Sequence, residues 1–195
     1  MKTALYTLVI MLVVAGIVHV ATILLIPSYA SNDAWAQLSD DAGKWSFNIV
    51  GRPGAKSRAK ASRLPKLDPA LNVAACVFDL KEASVRVEAG GDLPFWSVAV
   101  FDRQGQNIYS FNDRTAIERQ LLMVVVNPIQ RARLRKNPIE ELEQAVVVET
   151  EATEGFILLR ALQSDESWAP QVEQFLRGAS CEKFEIPDQV EAPGS

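Results

Sequence analysis

The chain has 195 residues, of which 48% are hydrophobic and 23% are charged, so it can bury the core of one ordinary domain. Its formal net charge of -4 argues against a nucleic-acid-binding surface. The only histidine, His19, lies in an apolar N-terminal run, so the rest of the chain cannot supply a Ser-His-Asp or Cys-His catalytic set. The two cysteines are far apart and form no Cys-x-x-Cys pair. We therefore predict no metal site, no cofactor and no nucleic-acid partner.

The first predicted element is a single transmembrane helix, which makes residues 1–27 a membrane anchor. Residues 3–26 contain no charged side chain, and a helix of this length, at about 1.5 Å per residue, crosses the roughly 30 Å hydrocarbon core of a bilayer. Pro27 is expected to end the helix. Lys2 precedes the span, whereas residues 27–43 contain no Lys or Arg, so the positive-inside rule places the N-terminus in the cytoplasm. The following domain would then lie in the periplasm of a bacterial inner membrane.

A cleaved signal peptide is the alternative interpretation of the same segment. Ser28-Tyr29-Ala30 has the small-x-small pattern of a cleavage site, and cleavage near Ala30 would release a secreted protein. The apolar run is longer than the roughly 7–15 residues of a typical signal-peptide core, which favours a retained anchor.

Residues 28–66 are predicted to form a juxtamembrane helix and a basic loop. Ser31-Asn32-Asp33 can cap a short helix to about Leu38, with Trp35 near the membrane surface. A first short strand is expected over 45–50. The loop over 51–66 has two interpretations, attraction to anionic lipid or an acidic partner, and an ordinary solvated loop. Its six basic residues are Arg52, Lys56, Arg58, Lys60, Arg63 and Lys66.

Residues 67–181 are predicted to form a mainly β (α+β) domain, an antiparallel β-sandwich-like fold with two or three short flanking helices. Asn127-Pro128 is expected to begin a helix to about Arg135, and Ser167 begins another. Residues 182–195 are predicted to form an acidic flexible tail. Apolar runs and period-2 alternation predict strands over 74–80, 84–88, both arms of a central hairpin within 93–114, 121–126, and a second hairpin from 145–150 and 155–162.

The central hairpin organises the predicted domain. Along its first strand, the odd-numbered and the even-numbered side chains are both mostly apolar, so neither face is polar. A strand of this kind is covered on both sides, and something is therefore expected to pack over each face of the sheet. Gly105 suits the positive φ of a hairpin turn.

Polar side chains of this hairpin are the candidate ligand-binding residues. An Asp beside an Arg could hold a carboxylate or phosphate ligand, with Arg114 donating bidentate hydrogen bonds. The favoured alternative is structural, because residues 112–114 end a strand and their side chains can bond nearby backbone. No catalytic residue is predicted. The candidate residues are Asp102, Tyr109, Asn112, Asp113 and Arg114.

Cys76 and Cys181 would face an oxidising compartment if the domain is periplasmic. Two cysteines in such a compartment are most simply a disulfide, and two buried free thiols are the alternative. In the chain-entropy model, closing a loop of about 100 residues contributes roughly 4–5 kcal/mol of stability. The bond would join the first strand of the domain to the end of its last helix.

Short segments spread along most of the chain form one pattern. They are Gly16 with His19, Pro27, Asp33-Ala34-Trp35, Asp68-Pro69, Cys76-Val77-Phe78-Asp79-Leu80, Pro94-Phe95-Trp96-Ser97-Val98, Phe101-Asp102, Tyr109-Ser110-Phe111-Asn112-Asp113-Arg114, Ser167-Trp168 and Cys181. In these segments the chain resembles a bacterial membrane-protein family catalogued as domain of unknown function 1254, which is often paired with its relative, family 1214. The resemblance implies a β-rich extracytoplasmic domain, usually behind a single span. It implies no activity and supplies no catalytic residues.

These features predict a membrane-anchored extracytoplasmic protein that acts as a binding or accessory module of the cell envelope. The missing catalytic sets favour a non-enzymatic role. Its partners would be the membrane, a companion family protein or a second copy of the chain. The alternative function is a small-molecule-binding or acid–base enzyme domain with a site near residues 112–114. A third hypothesis is an assembly or stress protein whose basic loop touches lipid.

Overall fold

The structure, a computed structural model, describes residues 2–51, 68 and 70–187. These ranges contain three α-helices: α1 (Lys2–Asp41), α2 (Pro128–Lys136) and α3 (Ala169–Gly178). They also contain ten strands, which form two sheets. The strands are β1 (Gly43–Lys44), β2 (Asn48–Gly51), β3 (Leu71–Asp79), β4 (Ser84–Ala89), β5 (Trp96–Asp102), β6 (Asn107–Asn112), β7 (Leu121–Val126), β8 (Val146–Glu149), β9 (Glu154–Leu162) and β10 (Ser180–Phe184).

The two sheets pack face to face around one core. The first has the order β1-β3-β9-β5-β6, with β2 also paired to β3, and the second has the order β10-β4-β7-β8. Between them lie fully buried side chains from both sheets, among them Phe78, Trp96, Met123 and Leu159. Burial of each large apolar side chain contributes roughly 1.5–3 kcal/mol. The predicted β-rich α+β fold is confirmed.

Parallel pairs interrupt the mainly antiparallel arrangement. β1 runs parallel to β3, and β7 runs parallel to β8. The β7–β8 connection contains α2, since parallel neighbours need a crossover rather than a tight turn. α2 begins as predicted: Asn127 and Gln130 form a capping box, and Pro128 occupies the first turn.

The predicted second hairpin is wrong. Its two segments do form strands, but β8 pairs with β7 in the second sheet, and β9 lies between β3 and β5 in the first. Residues 150–153 therefore lead the chain from one sheet to the other. Alternating apolar residues indicate a strand without identifying its partner, so adjacent strands in sequence were wrongly paired.

The prediction that Pro27 ends the first helix is also wrong, because α1 is continuous from Lys2 to Asp41. A proline lacks one N–H donor and so removes one intrahelical hydrogen bond, a loss that membrane helices tolerate. The short helix predicted after Ser31 is the C-terminal part of α1. The stretch Lys2–Ile26 is long and apolar enough to cross a membrane, and none of it is buried inside the described structure.

Two further boundaries differ from the prediction. Of the strand expected over 45–50, only 48–50 form a strand, as part of β2; Trp45 has a φ of 60° and lies between β1 and β2. The tail begins later than residue 182, because β10 extends to Phe184 and pairs with β4. Gly51 belongs to β2, whereas the rest of the predicted basic loop and the end of the predicted tail lie outside the described residues.

The C-terminal part of α1 packs on the outer face of the first sheet. Leu38 is buried in a cluster with Val73 of β3. The ring of Trp35 lies 6.3 Å from that of Phe156, which stacks at 5.1 Å on Phe101 of β5. α1 therefore covers one face of this sheet and the second sheet covers the other, as expected for strands that are apolar on both sides.

Glu82 connects the segment after α1 to the last strand. Its carboxylate accepts hydrogen bonds from Lys44 of β1 and, at 2.9 Å, from Lys183 of β10. The Lys183 ammonium also lies 5.2 Å from the centre of the Trp45 ring. The hydrogen bonds from Lys44 and Lys183 lower the pKa of Glu82 to about 2, and the contact with Glu82 raises the pKa of Lys44.

The substitution Glu82→Gln is expected to weaken the acid dependence of stability. A carboxylate whose pKa is lowered by folding contributes stability that is fully present above its ordinary pKa of 4.5 and is lost as the pH falls towards about 2. Since Glu82 is exposed, the effect should be small and should shrink at high salt. Unfolding midpoints of both proteins across this pH window measure it. If the unfolding midpoints of the wild type and the variant changed equally with pH at low salt, the expectation would be contradicted.

Candidate functional site

The five predicted site residues lie on the β5–β6 hairpin but at its two ends. Asp102 is in the turn, where its carboxylate accepts a hydrogen bond from the Gln106 backbone N–H and Gly105 has a φ of 80°. Residues 112–114 lie at the open end, where Asn112 pairs with Ser97. Five residues of extended strand, about 17 Å, separate Ser97 from Asp102. The structure therefore separates Asp102 from residues 112–114, and Tyr109, opposite Val100, lies nearer to the turn.

The hairpin lies at the edge of its sheet rather than at the centre. β5 pairs with β9 on one side and with β6 on the other, and β6 has no second neighbour in the described part of the chain. Tyr109, opposite Val100, is 40% exposed. The predicted burial on both faces of the hairpin's first strand holds for β5. β6 is an edge strand whose residues are exposed or partly buried.

Asp113 is buried and forms an ion pair with an arginine that was not predicted. Its Oδ2 accepts a hydrogen bond from Arg119 Nη2 at 3.2 Å. The same guanidinium donates to Asp92 Oδ1 at 3.3 Å and to the carbonyl of Leu93. Arg114 is exposed, and its backbone N–H donates to Asn112 Oδ1 at 3.1 Å. The Asp–Arg pair expected at this end therefore uses Arg119 in place of Arg114.

Two buried polar atoms at this open end have no hydrogen-bond partner among the described residues. They are Asp113 Oδ1 and Trp96 Nε1. The two residues are cross-strand neighbours, since the Asp113 N–H donates to the Trp96 carbonyl at 3.2 Å. Trp96 is fully buried, with its ring centre 6.0 Å from that of Phe111 and 6.1 Å from that of Phe175. Asp113 Oδ1 is a hydrogen-bond acceptor and Trp96 Nε1 is a donor.

Arg119 lies in a strained backbone segment that its side-chain contacts hold in position. Glu118 and Arg119 have φ values of 51° and 58°, in the left-handed region that costs an L-residue about 1–2 kcal/mol. Such strain persists where surrounding contacts maintain it, and here the Arg119 side chain makes three contacts. A Gly or Asn would have signalled this conformation in the sequence. Glu and Arg give no such signal, so Arg119 was missed.

Relief of this strain is a testable consequence. Glu118→Gly is expected to be more stable than Glu118→Ala by about 1 kcal/mol, because glycine reaches positive φ without a Cβ clash. Both variants remove the same exposed carboxylate, so their difference reports on the backbone alone. Chemical denaturation measures it, and equal stabilities of the two variants would contradict the assigned strain.

The polar groups at the open end are the Asp113–Arg119 ion pair and two buried atoms without a hydrogen-bond partner among the described residues. Asp113 is held against Arg119, and no imidazole lies in the domain, since His19 is in the apolar part of α1. Among the described residues, no group of three or more His, Cys, Asp or Glu side chains is placed to hold a metal ion. Asp113 Oδ1 could accept a hydrogen bond from a polar group, and Trp96 Nε1 could donate one.

Cys76 and Cys181 form a disulfide-bonded pair across the two sheets. Their Sγ atoms are at bonding distance and their Cα atoms are 6.5 Å apart. Cys76 is on β3 of the first sheet and Cys181 on β10 of the second, and both side chains are buried. The pair therefore staples the two sheets together, with Cys181 shortly after α3 as expected.

Comparison with known proteins agrees with the sequence pattern. The model of the family described as a protein of unknown function (DUF1254) matches residues 54–183. The chain belongs to this family. The match confirms the resemblance carried by the Phe-Trp-Ser and Tyr-Ser-Phe-Asn-Asp-Arg segments of the hairpin. A search of the curated proteins gave no match to this DUF1254 chain.

Two solved structures are similar to this DUF1254 chain. The VPA0106 protein from Vibrio parahaemolyticus superposes with a TM-score of 0.57 at 12% sequence identity, over 88% of this chain and 41% of that one. An uncharacterized protein from Burkholderia cenocepacia gives a TM-score of 0.48 at 12% identity, over 87% of this chain and 44% of that one. The first likeness supports the fold alone. The chain spans about two fifths of the length of both structures.

Proposed function

We propose that this DUF1254 protein is an inner-membrane protein whose single N-terminal helix anchors a two-sheet binding or accessory domain in the periplasm. The observation that carries the proposal is the composition of α1. Its first part, Lys2–Ile26, is apolar and packs against nothing in the described chain, whereas Trp35 and Leu38 pack on the domain. One helix thus combines a membrane-spanning segment with an attachment to the folded domain.

The buried cysteine pair supports the same orientation. Disulfides persist in the periplasm and are rare in the cytoplasm, where thiols are kept reduced. Cys76 and Cys181 are at bonding distance and out of contact with solvent. In the periplasm the cysteines can stay oxidised, and the bond then adds stability to the folded domain.

Topology and retention of the anchor can be tested together. Fusions of alkaline phosphatase and of green fluorescent protein after residue 187 are expected to give an active phosphatase and a dark fluorescent protein. Mass spectrometry of the membrane-extracted protein should recover residues 1–30. Fluorescence without phosphatase activity would refute the periplasmic placement. A mature chain that begins at Ser31 would instead identify the segment as a signal peptide.

If the chain were cleaved after Ala30, the rest of α1 would stay attached to the domain in the secreted protein. Trp35 and Leu38 would remain on the domain, so the released protein would keep its contacts with the first sheet. The two forms therefore differ in attachment to the membrane and not in the fold of the domain.

The partner of this module is proposed to be a companion family protein or a second copy of the chain. The edge strand β6 supports the idea, because Asn107–Asn112 contains no charge and no proline, the features that usually protect sheet edges from pairing. Cross-linking in membranes followed by mass spectrometry of the detergent extract identifies the partner. A chain that yields neither self-cross-links nor a stoichiometric partner would count against an accessory role.

The alternative function, a small-molecule site at the open end of the hairpin, is favoured by the unpaired Asp113 Oδ1. Asp113→Asn and Asp92→Asn are a matched pair, since both carboxylates bind Arg119 but only Asp113 is buried. With glucose as a hydroxyl-bearing probe, a ligand site predicts a melting shift in the wild type and in Asp92→Asn that Asp113→Asn loses. A large loss of stability in Asp113→Asn without any shift in the wild type supports a structural role.

A further inference from the structure

Arg160 is a half-buried cation without a counter-ion among the described residues. It lies on β9, and no hydrogen bond or ion pair within the described part of the chain involves its guanidinium. Desolvation by burial lowers its pKa, and no carboxylate among the described residues opposes that effect. Burying a charge is costly unless it is paired, so the position calls for an anion from outside the described chain.

The strand register places polar side chains next to Arg160. Its Cα partners are Val73 on β3 and Ser97 on β5, and Ser97 in turn pairs with Asn112 on β6. Neighbouring strands are about 4.8 Å apart, so Arg160, Ser97 and Asn112 form one row about 10 Å long. The row lies on the outer face of the first sheet, which Phe156 also occupies four residues earlier on β9.

Further positive charge is connected to this row. Arg114, two residues after Asn112, is exposed and forms no ion pair within the described ranges. Gly51 pairs with Val73 at the other end of the row. The sequence that follows Gly51, residues 52–67, contains six Lys or Arg residues and no Asp or Glu. Such a charge balance favours the attraction of anions.

We propose that this row is an oxyanion site, in which Arg160 binds a carboxylate or phosphate group. The planar guanidinium fork matches two oxygens of such a group, and the half-buried position strengthens the interaction. The Ser97 hydroxyl and the Asn112 amide supply further donors, since the Asn112 Oδ1 already accepts from the Arg114 N–H. The site is separate from the Asp113–Arg119 pair and does not depend on which compartment holds the domain.

The position of the row favours a free oxyanion over the headgroups of the protein's own membrane. Nine residues of α1, about 14 Å of helix, separate Ile26 from Trp35, whose ring meets Phe156. Arg160 lies four residues from Phe156 along β9, about 13 Å of extended strand. Soluble phosphate or carboxylate compounds reach this face of the domain without constraint.

The test uses the full chain in a neutral detergent, with inorganic phosphate and citrate as probes and chloride of equal ionic strength as the reference. Phosphate or citrate is expected to raise the melting temperature of the wild type. Arg160→Gln should weaken the apparent affinity about tenfold or more, as expected for loss of charge-assisted hydrogen bonds. Arg160→Lys should retain part of the affinity. Arg177→Gln, at an arginine already paired with Glu173 on α3, is the matched control and should bind as the wild type does.

The stability of Arg160→Gln without added anion shows whether this variant folds normally. Without phosphate or citrate, Arg160→Gln should be at least as stable as the wild type, because the variant no longer buries a charge that lacks an ion partner among the described residues. Nanodiscs of phosphatidylglycerol and of phosphatidylcholine, free of soluble phosphate, distinguish a lipid headgroup from a soluble oxyanion. Stabilisation by phosphatidylglycerol alone assigns the site to a lipid headgroup. Equal melting temperatures in phosphate, citrate and chloride, together with no lipid effect, would overturn the proposal. An anion effect that persists unchanged in Arg160→Gln would overturn it as well.

Discussion

Replacement of Cys76 and Cys181 by alanine is expected to lower the free energy of unfolding by about 2–5 kcal/mol. The cysteines are separated by 105 positions in the sequence, so their bond closes a long loop and lowers the conformational entropy of the unfolded chain. They also connect β3 in one sheet to β10 in the other, so the bond limits separation of the two sheets. Urea denaturation of the detergent-solubilised chain gives the difference.

Reduction of the wild type supplies the control for this expectation. A reductant should move the wild-type unfolding curve towards that of the double variant and should leave the double variant unchanged. Both side chains are buried, so the difference that remains between the reduced wild type and the double variant measures the cost of losing two buried sulfur atoms. Identical curves for the oxidised wild type and the double variant would show that the pair contributes nothing to stability.

The substitution Trp96→Ala is expected to cost about 3–5 kcal/mol, the range for truncating a fully buried aromatic side chain. Trp96 has no exposed surface, and its ring lies between those of Phe111 and Phe175. Its removal would leave a cavity where the β5–β6 hairpin meets α3. The unfolding free energy from denaturant titration measures the loss.

Tyr109→Ala is the matched control, because Tyr109 lies on the same hairpin and is 40% exposed. Its truncation should cost less than about 1 kcal/mol, since solvent already surrounds much of the ring. Comparable losses in the two variants would contradict the assignment of β5 as the buried strand and β6 as the exposed edge.

Local signals in the sequence predicted the individual elements well. The run of apolar residues over 121–126 became β7, and Asn127-Pro128 began α2 with the expected cap. Gly105 took the positive φ required by the hairpin turn. These features depend on a few neighbouring residues, so sequence spacing alone contains the necessary information.

Long-range pairing could not be predicted in the same way. Nothing in the sequences of β8 and β9 indicates that they belong to different sheets, because the period-2 pattern is the same in either case. The edge position of β6 likewise depends on β9 occupying the other side of β5. Strand partners are fixed by the packing of the whole domain, which local patterns do not encode.

The polar sites show the same division between local and distant information. Asp113 was a candidate from the sequence, but Arg119 reaches it only through a left-handed backbone at residues without a Gly or Asn signal. Arg160 was not a candidate, because its burial and its neighbours Ser97 and Asn112 follow from the register of three strands. Such clusters are recognised only once the strand order is known.

The state of the two cysteines in intact cells tests the proposed anchored, periplasmic and disulfide-stapled domain most directly. Cells are quenched with a thiol-trapping maleimide under denaturing conditions, and the full-length protein is examined by mass with and without prior reduction. The predicted result is a membrane-extracted chain that retains residues 1–30, takes no maleimide before reduction and takes two afterwards. Two maleimide adducts on Cys76 and Cys181 without reduction would contradict a periplasmic disulfide-bonded domain.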